Sequence, residues 1–179
     1  MTSLELRETG LSGAFVIEPI PASDERGFFA RTWCARTFAD RGLDPALTQC
    51  SVSFNHRRGT VRGMHYQADP HGEAKLVRCT QGAIYDVIVD VRPGSATYGR
   101  WFGIELTPAN HKALFIPKGF AHGFQTLADD SEVYYQISVE YVAEAARGIR
   151  HDDPAVGIKW PLPVAVISDR DRNLPAFGA

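Results

Sequence analysis

Two stretches of the chain set chemically capable residue types at regular spacing. In the first, Gly59 is followed by five residues and His65, Gln67 stands two positions on, and six residues separate Lys75 from Gly82. The second reads Pro117-Lys-Gly119-Phe-Ala-His122. An imidazole near neutral pH takes or gives a proton, or ligates a metal. A fixed ammonium stabilises an oxyanion. Tyr134 and Tyr135 sit side by side in a run of strand character, where alternation turns one inward and the other outward without saying which. Isolated histidines in a β-rich chain are mostly packed or hydrogen-bonded bystanders, and His56, His71 and His111 are read that way.

The elements that must position these groups are short strands. Runs rich in β-branched and aromatic residues recur at 14–18, 27–33, 48–54, 74–79, 84–91, 101–106, 113–116 and 133–139, with Gly, Pro, Asn or Asp between them. Several alternate apolar and polar residues, which predicts half-buried strands in an antiparallel sandwich or barrel. Helical signal is thin: a short helix over 35–41 ending at Gly42, and one turn near 143–147. From His151 onward, Pro154, Pro161, Pro163 and Pro175 predict an extended cover over a sheet. Ile158, Trp160, Val164, Val166 and Ile167 in that cover ask for burial.

At 179 residues and 44% hydrophobic composition, the chain fits one domain spanning 1–179. A net charge of −2 argues against a general nucleic-acid binder but leaves room for a local arginine site for phosphate. Cys34, Cys50 and Cys79 are odd in number and lack paired spacing, as expected of reduced thiols in a cytoplasmic protein. The amino terminus lacks a signal-peptide pattern. No apolar run approaches the roughly 20 residues that cross a bilayer, so no membrane partner is expected.

The two stretches resemble the paired motifs of the cupin superfamily, which implies an all-β double-stranded β-helix, or jelly roll, with short peripheral helices. Metal-binding cupins carry His-x-His and a glutamate in the first motif. Here Gln67 occupies the second histidine position and Lys75 the glutamate position. A first-row divalent metal wants about three or four N, O or S ligands, and an ammonium repels a cation. The expectation is a metal-free, cofactor-free site in which Lys75 does part of a metal's work.

A more specific resemblance covers most of residues 19–175. DERGFF (24–29), RGTVRGMHYQ (58–67), KLVRCTQGAIYDVIVDVRPGSATYG (75–99), IPKGFAHGFQTL (116–127), EVYYQ (132–136), DDPAVGIKWP (152–161) and ISDRD (167–171) look like the dTDP-4-dehydrorhamnose 3,5-epimerases and their relatives. The resemblance implies a homodimer acting on a nucleotide sugar, most simply a dTDP-linked one. His65 would be the base, Asp171 its partner, Lys75 the oxyanion holder and Tyr135 the opposite-face acid. Arg26, Phe29, Arg31, Gln49, Ser51, Arg62, His122, Tyr141 and Arg170 would bind substrate. Among these, Arg26 and Arg62 would take the pyrophosphate and Tyr141 the base, while His122 would assist Lys75. The chemistry suits these types, because a ketone at C4 acidifies the hydrogens on both C3 and C5.

Some positions depart from the family pattern: Arg31, Ser51, Gln136, Ala146 and His151. Most fall where the family binds its nucleotide, so they bear on the base or sugar more than on the reaction. The expected reaction is epimerisation at C3 and/or C5 of a dTDP-4-keto-6-deoxy-hexose. An epimerase of a single centre, or a non-catalytic nucleotide-sugar-binding cupin, is the alternative.

Overall fold

Turn residues cut the chain into short strands, and alternation decides which face each buries. The computed structural model describes residues 3–178. The strands are β1 (Leu4–Glu8), β2 (Phe15–Pro19), β3 (Ala22–Asp24), β4 (Gly27–Phe29), β5 (Gln49–Asn55), β6 (Val61–Gln67), β7 (Lys75–Gln81), β8 (Ile84–Asp90), β9 (Trp101–Leu106), β10 (Ala113–Ile116), β11 (Phe120–Thr126), β12 (Ser131–Ile137) and β13 (Ala146–Gly148). Two short helices, α1 (Ala35–Ala39) and α2 (Asp169–Arg172), and a 3-10 turn at Ala143–Ala145 complete the order.

One six-stranded sheet runs β1-β2-β10-β7-β12-β5, and a five-stranded sheet runs β13-β6-β11-β8-β9. All their pairings are antiparallel. Between the sheets lies a core of Val16, Val77, Leu114, Ile116 and Val133 from one and Ile84, Ile88, Leu106, Phe120 and Phe124 from the other. The outer face of the first sheet is covered in part by Phe38 and Leu43, which pack on Ile17, Leu76 and Phe115. The outer face of the second is covered by the segment after β13, whose Ile149, Val156, Ile158 and Trp160 join Met64, Val87 and Val89.

The expected all-β class holds, with differences in detail. The strand expected over 27–33 stops at Phe29 and pairs only with β3, forming a hairpin apart from both sheets. The expected burial of Val164 and Val166 is corrected: they are 38% and 39% exposed, in a segment held to the sheet by backbone hydrogen bonds with Gly59 and Val61. The carboxy-terminal cover also contains α2, which its prolines did not suggest. Ser168 caps that helix by accepting a hydrogen bond from the Asp171 N–H.

One irregularity positions the site. Across β6 and β11, His65 faces His122 and Arg62 faces Phe124, with a register shift between them. Two residues of β6, Gly63 and Met64, thus stand against the single Gly123. This bulge turns Arg62 and His65, three apart, to the same inner face, where simple alternation would have split them. Gly63 has φ +119°, and a Cβ there would lie 2.6 Å from the Gly123 Cα. Only glycine fits.

Candidate active site

A cavity of about 450 Å³ opens at one end of the two-sheet body. Its lining draws Arg62 and His65 from β6, Lys75 from β7, His122 from β11, Tyr135 from β12, Ser51 and Ser53 from β5, and Arg170 and Asp171 from α2. Tyr141 lines it from the loop after β12 and is 58% exposed. Five strands of two sheets and the late helix α2 thus converge on one space.

His65 lies 40% exposed in the cavity, and its Nε2 is 2.7 Å from Asp171 Oδ1. A carboxylate only accepts hydrogen bonds, so the neutral ring carries its hydrogen on Nε2 and keeps a lone pair on Nδ1. The second carboxylate oxygen, Oδ2, accepts the Gly63 backbone N–H at 3.0 Å. Burial would raise the Asp171 pKa, but the His65 ring and the Gly63 N–H outweigh it and hold the carboxyl below the usual range. An ionised, doubly held carboxylate therefore fixes the imidazole's orientation.

Deeper in the cavity, His122 is 5% exposed and gives its Nε2 to Asp86 Oδ1 at 2.7 Å. Tyr135 meets the His122 ring edge-on, with centroids 5.9 Å apart. Burial, with the Asp86 charge adding to it, raises the pKa of the Tyr135 hydroxyl, so it stays protonated as a donor. Register places Tyr135 inward and Tyr134 outward, which settles the ambiguity of the adjacent tyrosines. Lys75 is 9% exposed and bonds Glu73. Burial pushes its pKa down, while Glu73 and Asp86 pull the other way.

The mouth is positive. Arg62 and Arg170 both line it, and the Arg62 Nε donates to Asn55 Oδ1 at 2.7 Å. Asn55 is 2% exposed and donates in turn to the Ser131 carbonyl, so the guanidinium is anchored from behind. Such a site takes an anion at its rim and a polar, ionisable group in its depth.

Nine of the sequence-expected positions therefore share the cavity: His65, Asp171, Tyr135, Lys75, Ser51, Arg62, His122, Tyr141 and Arg170. Gln49 supports it from behind, since its Oε1 accepts the Tyr141 N–H at 3.1 Å. Arg26, Phe29 and Arg31 do not line it. Arg26 is tied to Asp24 at the tip of the hairpin, Phe29 is 72% exposed, and Arg31 follows on the surface. The hairpin leans instead on His111, whose ring lies 4.8 Å from Phe28. His56, His71 and His111 stay outside the lining, as expected. Gln67, in a metal-ligand position by motif, is spent on structure: it bonds the backbone of His71, Glu140 and Val142. Among the described residues no three His, Cys, Asp or Glu side chains converge as a metal cage.

Sequence reasoning missed Asn55, Glu73 and Asp86. Glu73 was legible, because it stands two before Lys75 and so shares its strand face. Asp86 was legible too, since alternation puts it on the same face as Ile84 and Ile88. Asn55 had no such signal.

A sequence profile described as dTDP-4-dehydrorhamnose 3,5-epimerase matches residues 8–179. The dTDP-4-dehydrorhamnose 3,5-epimerase of Sinorhizobium fredii is 44% identical over 163 residues, covering 90% of this chain and 84% of that relative. The crystal structure of the Bacillus anthracis dTDP-4-dehydrorhamnose 3,5-epimerase, with TDP and PPi bound, superposes with a TM-score of 0.93. It is 38% identical, covering 97% of this chain and 99% of that one. A 3'-monoepimerase from Streptomyces bikiniensis, in complex with dTDP-quinovose, superposes at 0.85 with 35% identity, covering 94% and 85%. The cupin-type jelly roll expected from the motifs is the fold of this chain.

Proposed function

The chain belongs to the dTDP-4-dehydrorhamnose 3,5-epimerase family, and from that premise we propose how its own residues carry out the reaction. It is an isomerase that epimerises a dTDP-4-keto-6-deoxy-hexose at C3 and/or C5. The observation that carries the assignment of roles is the half-exposed His65, backed by Asp171, over a cavity floored by Lys75 and Tyr135.

His65 Nδ1 takes the proton from the carbon beside the ketone. The C–H electron pair moves to the C4 oxygen and forms an enolate, which the Lys75 ammonium holds beside the His122 ring. The Tyr135 hydroxyl then returns a proton to the opposite face and restores the ketone with the centre inverted. No electrons leave the sugar. Arg62 and Arg170 hold the pyrophosphate at the mouth, and Tyr141 stacks on the base.

Arg26, Phe29 and Arg31 enter this scheme through a second copy. The chain acts as a homodimer in which the β3–β4 hairpin of one protomer reaches the cavity mouth of its partner. Support comes from Phe28 and Phe29, 52% and 72% exposed on that hairpin, and from Val52 and Phe54, 57% and 40% exposed on the edge strand β5. Such side chains on an unpaired edge are typical of a surface that another chain covers. The enzyme works in the cytoplasm, a compartment that keeps unpaired cysteines such as Cys34, Cys50 and Cys79 reduced. No described helix is long and apolar enough to cross a membrane.

The test is incubation with dTDP-4-keto-6-deoxyglucose in deuterium oxide, followed by NMR. Deuterium at C3 and C5 with inversion at both marks a 3,5-epimerase. Deuterium at one carbon marks a single-centre enzyme, a reading favoured by the likeness to the Streptomyces bikiniensis monoepimerase. No deuterium anywhere defeats the catalytic reading. Tyr135→Phe should keep exchange at one or both carbons and lose inversion, since His65 can still form the enolate and reprotonate it from its own side.

A further inference from the structure

Glu73 precedes Lys75 by two residues where the chain runs into β7, so the extended backbone turns both side chains the same way. The side chain of each is 10% exposed, and each lines the cavity. The Glu73 carboxylate accepts a hydrogen bond from the Lys75 ammonium. A second carboxylate, Asp86 of β8, faces the same ammonium, but its Oδ1 is occupied by His122. The other titratable or charged groups lining the cavity are His122 from β11, Tyr135 from β12, Arg62 and His65 from β6, Arg170 and Asp171 from α2, and Tyr141.

Two physical demands meet at Lys75. A lysine removed from water tends to shed its proton, and a neutral amine gives a developing enolate little help. A free ammonium also rotates among its three donors, whereas catalysis gains most from donors already aimed at the charge that will appear. One fixed carboxylate answers both demands, because it favours the charged form and occupies one N–H, leaving two for the substrate.

We propose that Glu73 is a positioning residue for Lys75, anchoring the ammonium at the cavity floor and keeping it charged so that two N–H donors face the C4 oxygen. This rests on the reading of Lys75 as the oxyanion holder. It assigns to Glu73 neither proton transfer nor contact with the sugar.

Glu73→Gln is the informative change, since it keeps the size and an accepting oxygen while removing the charge. The rate kcat should fall about tenfold to a hundredfold while KM stays within about twofold, as for a loss confined to the transition state. The alkaline limb of the kcat profile should also move to lower pH, by about one unit, because the lysine now loses its proton more readily. In Glu73→Asp the charge remains but is drawn back by one methylene, so kcat should fall with the limb in place. In a Lys75→Met background, adding Glu73→Gln should cost less than about twofold more, the coupling expected of residues that act as a unit.

An unmoved alkaline limb in Glu73→Gln, or an equal rate loss with Lys75 already gone, overturns the inference and leaves the role of Lys75 intact. Lys75→Met turning over at the unmodified rate removes the role of Lys75, and the inference with it. Should Glu73→Gln fail to give a folded protein by circular dichroism, Glu73→Asp decides alone, and a limb displaced in that variant counts against the proposal.

Discussion

Two histidine–carboxylate pairs stand across from each other in this molecule, with the same 2.7 Å bond and different surroundings. His65 and His122 are register partners on adjacent strands. In the first pair the ring is 40% exposed and its carboxylate comes from α2, far along the chain. In the second, ring and carboxylate are 5% and 0% exposed and both come from neighbouring strands of one sheet. Asp171 uses both oxygens, one on His65 and one on the Gly63 N–H. Asp86 uses one, and its Oδ2 is buried without a protein partner. The bond alone therefore does not make a base. Access does: the His65 ring can meet a carbon acid and return its proton to water, whereas the His122 ring is fixed within the wall with its Nε2 spent on Asp86.

The contrast can be broken by removing each ring. His65→Ala should lower kcat by about a thousandfold or more and abolish deuterium exchange, within the range seen when a general base is lost. His122→Asn should cost about tenfold to a hundredfold, as for one group beside the enolate oxygen, and leave exchange detectable by NMR. Equal losses in both would erase the distinction between base and wall. Arg62→Ala sharpens it from another side. Arg62 shares the β6 bulge with His65 but is proposed to serve the anion, so dTDP affinity should fall by about one to two decades in calorimetry, while exchange at saturating substrate persists.

The smallest expected effect is on stability against pH. The Asp171 carboxyl titrates below its unfolded value, so the stability it contributes is complete above about pH 4 and is lost as pH falls through the depressed folded value. Urea midpoints of the unmodified protein and Asp171→Asn should therefore differ most at neutral pH and converge as the buffer is taken toward pH 3.

The sheet strands were the most legible part of the sequence. The runs at 101–106 and 113–116 became β9 and β10 without change, because β-branched and aromatic residues fill them. The two strands that carry the histidines, β6 and β11, were not read as strands at all. Glycines and the histidines themselves dilute their strand propensity, and the bulge at Gly63–Met64 breaks the alternation that would have marked β6. His65 and His122 were found by motif spacing, not by periodicity. Asp171 came from family resemblance alone, since a four-residue helix in a proline-rich stretch has too few residues to show a period. The hairpin residues Arg26 and Phe29 illustrate a further limit: motif matching assigned both to the site, yet neither lines the cavity of its own chain.

The close contact between Gly63 and Gly123 has a bearing on how such an enzyme changes over generations. A Cβ on Gly63 would sit 2.7 Å from the His122 carbonyl, and one on Gly123 would sit 2.6 Å from the Arg62 carbonyl. A single added methyl at either glycine would press on the strand bearing the other histidine, so base and wall cannot drift apart through small steps at their own junction. At Gly27 in the exposed hairpin, by contrast, an added Cβ would meet nothing within 4 Å. The junction of the two histidine strands is thus closed to small additions of bulk, and the hairpin is not.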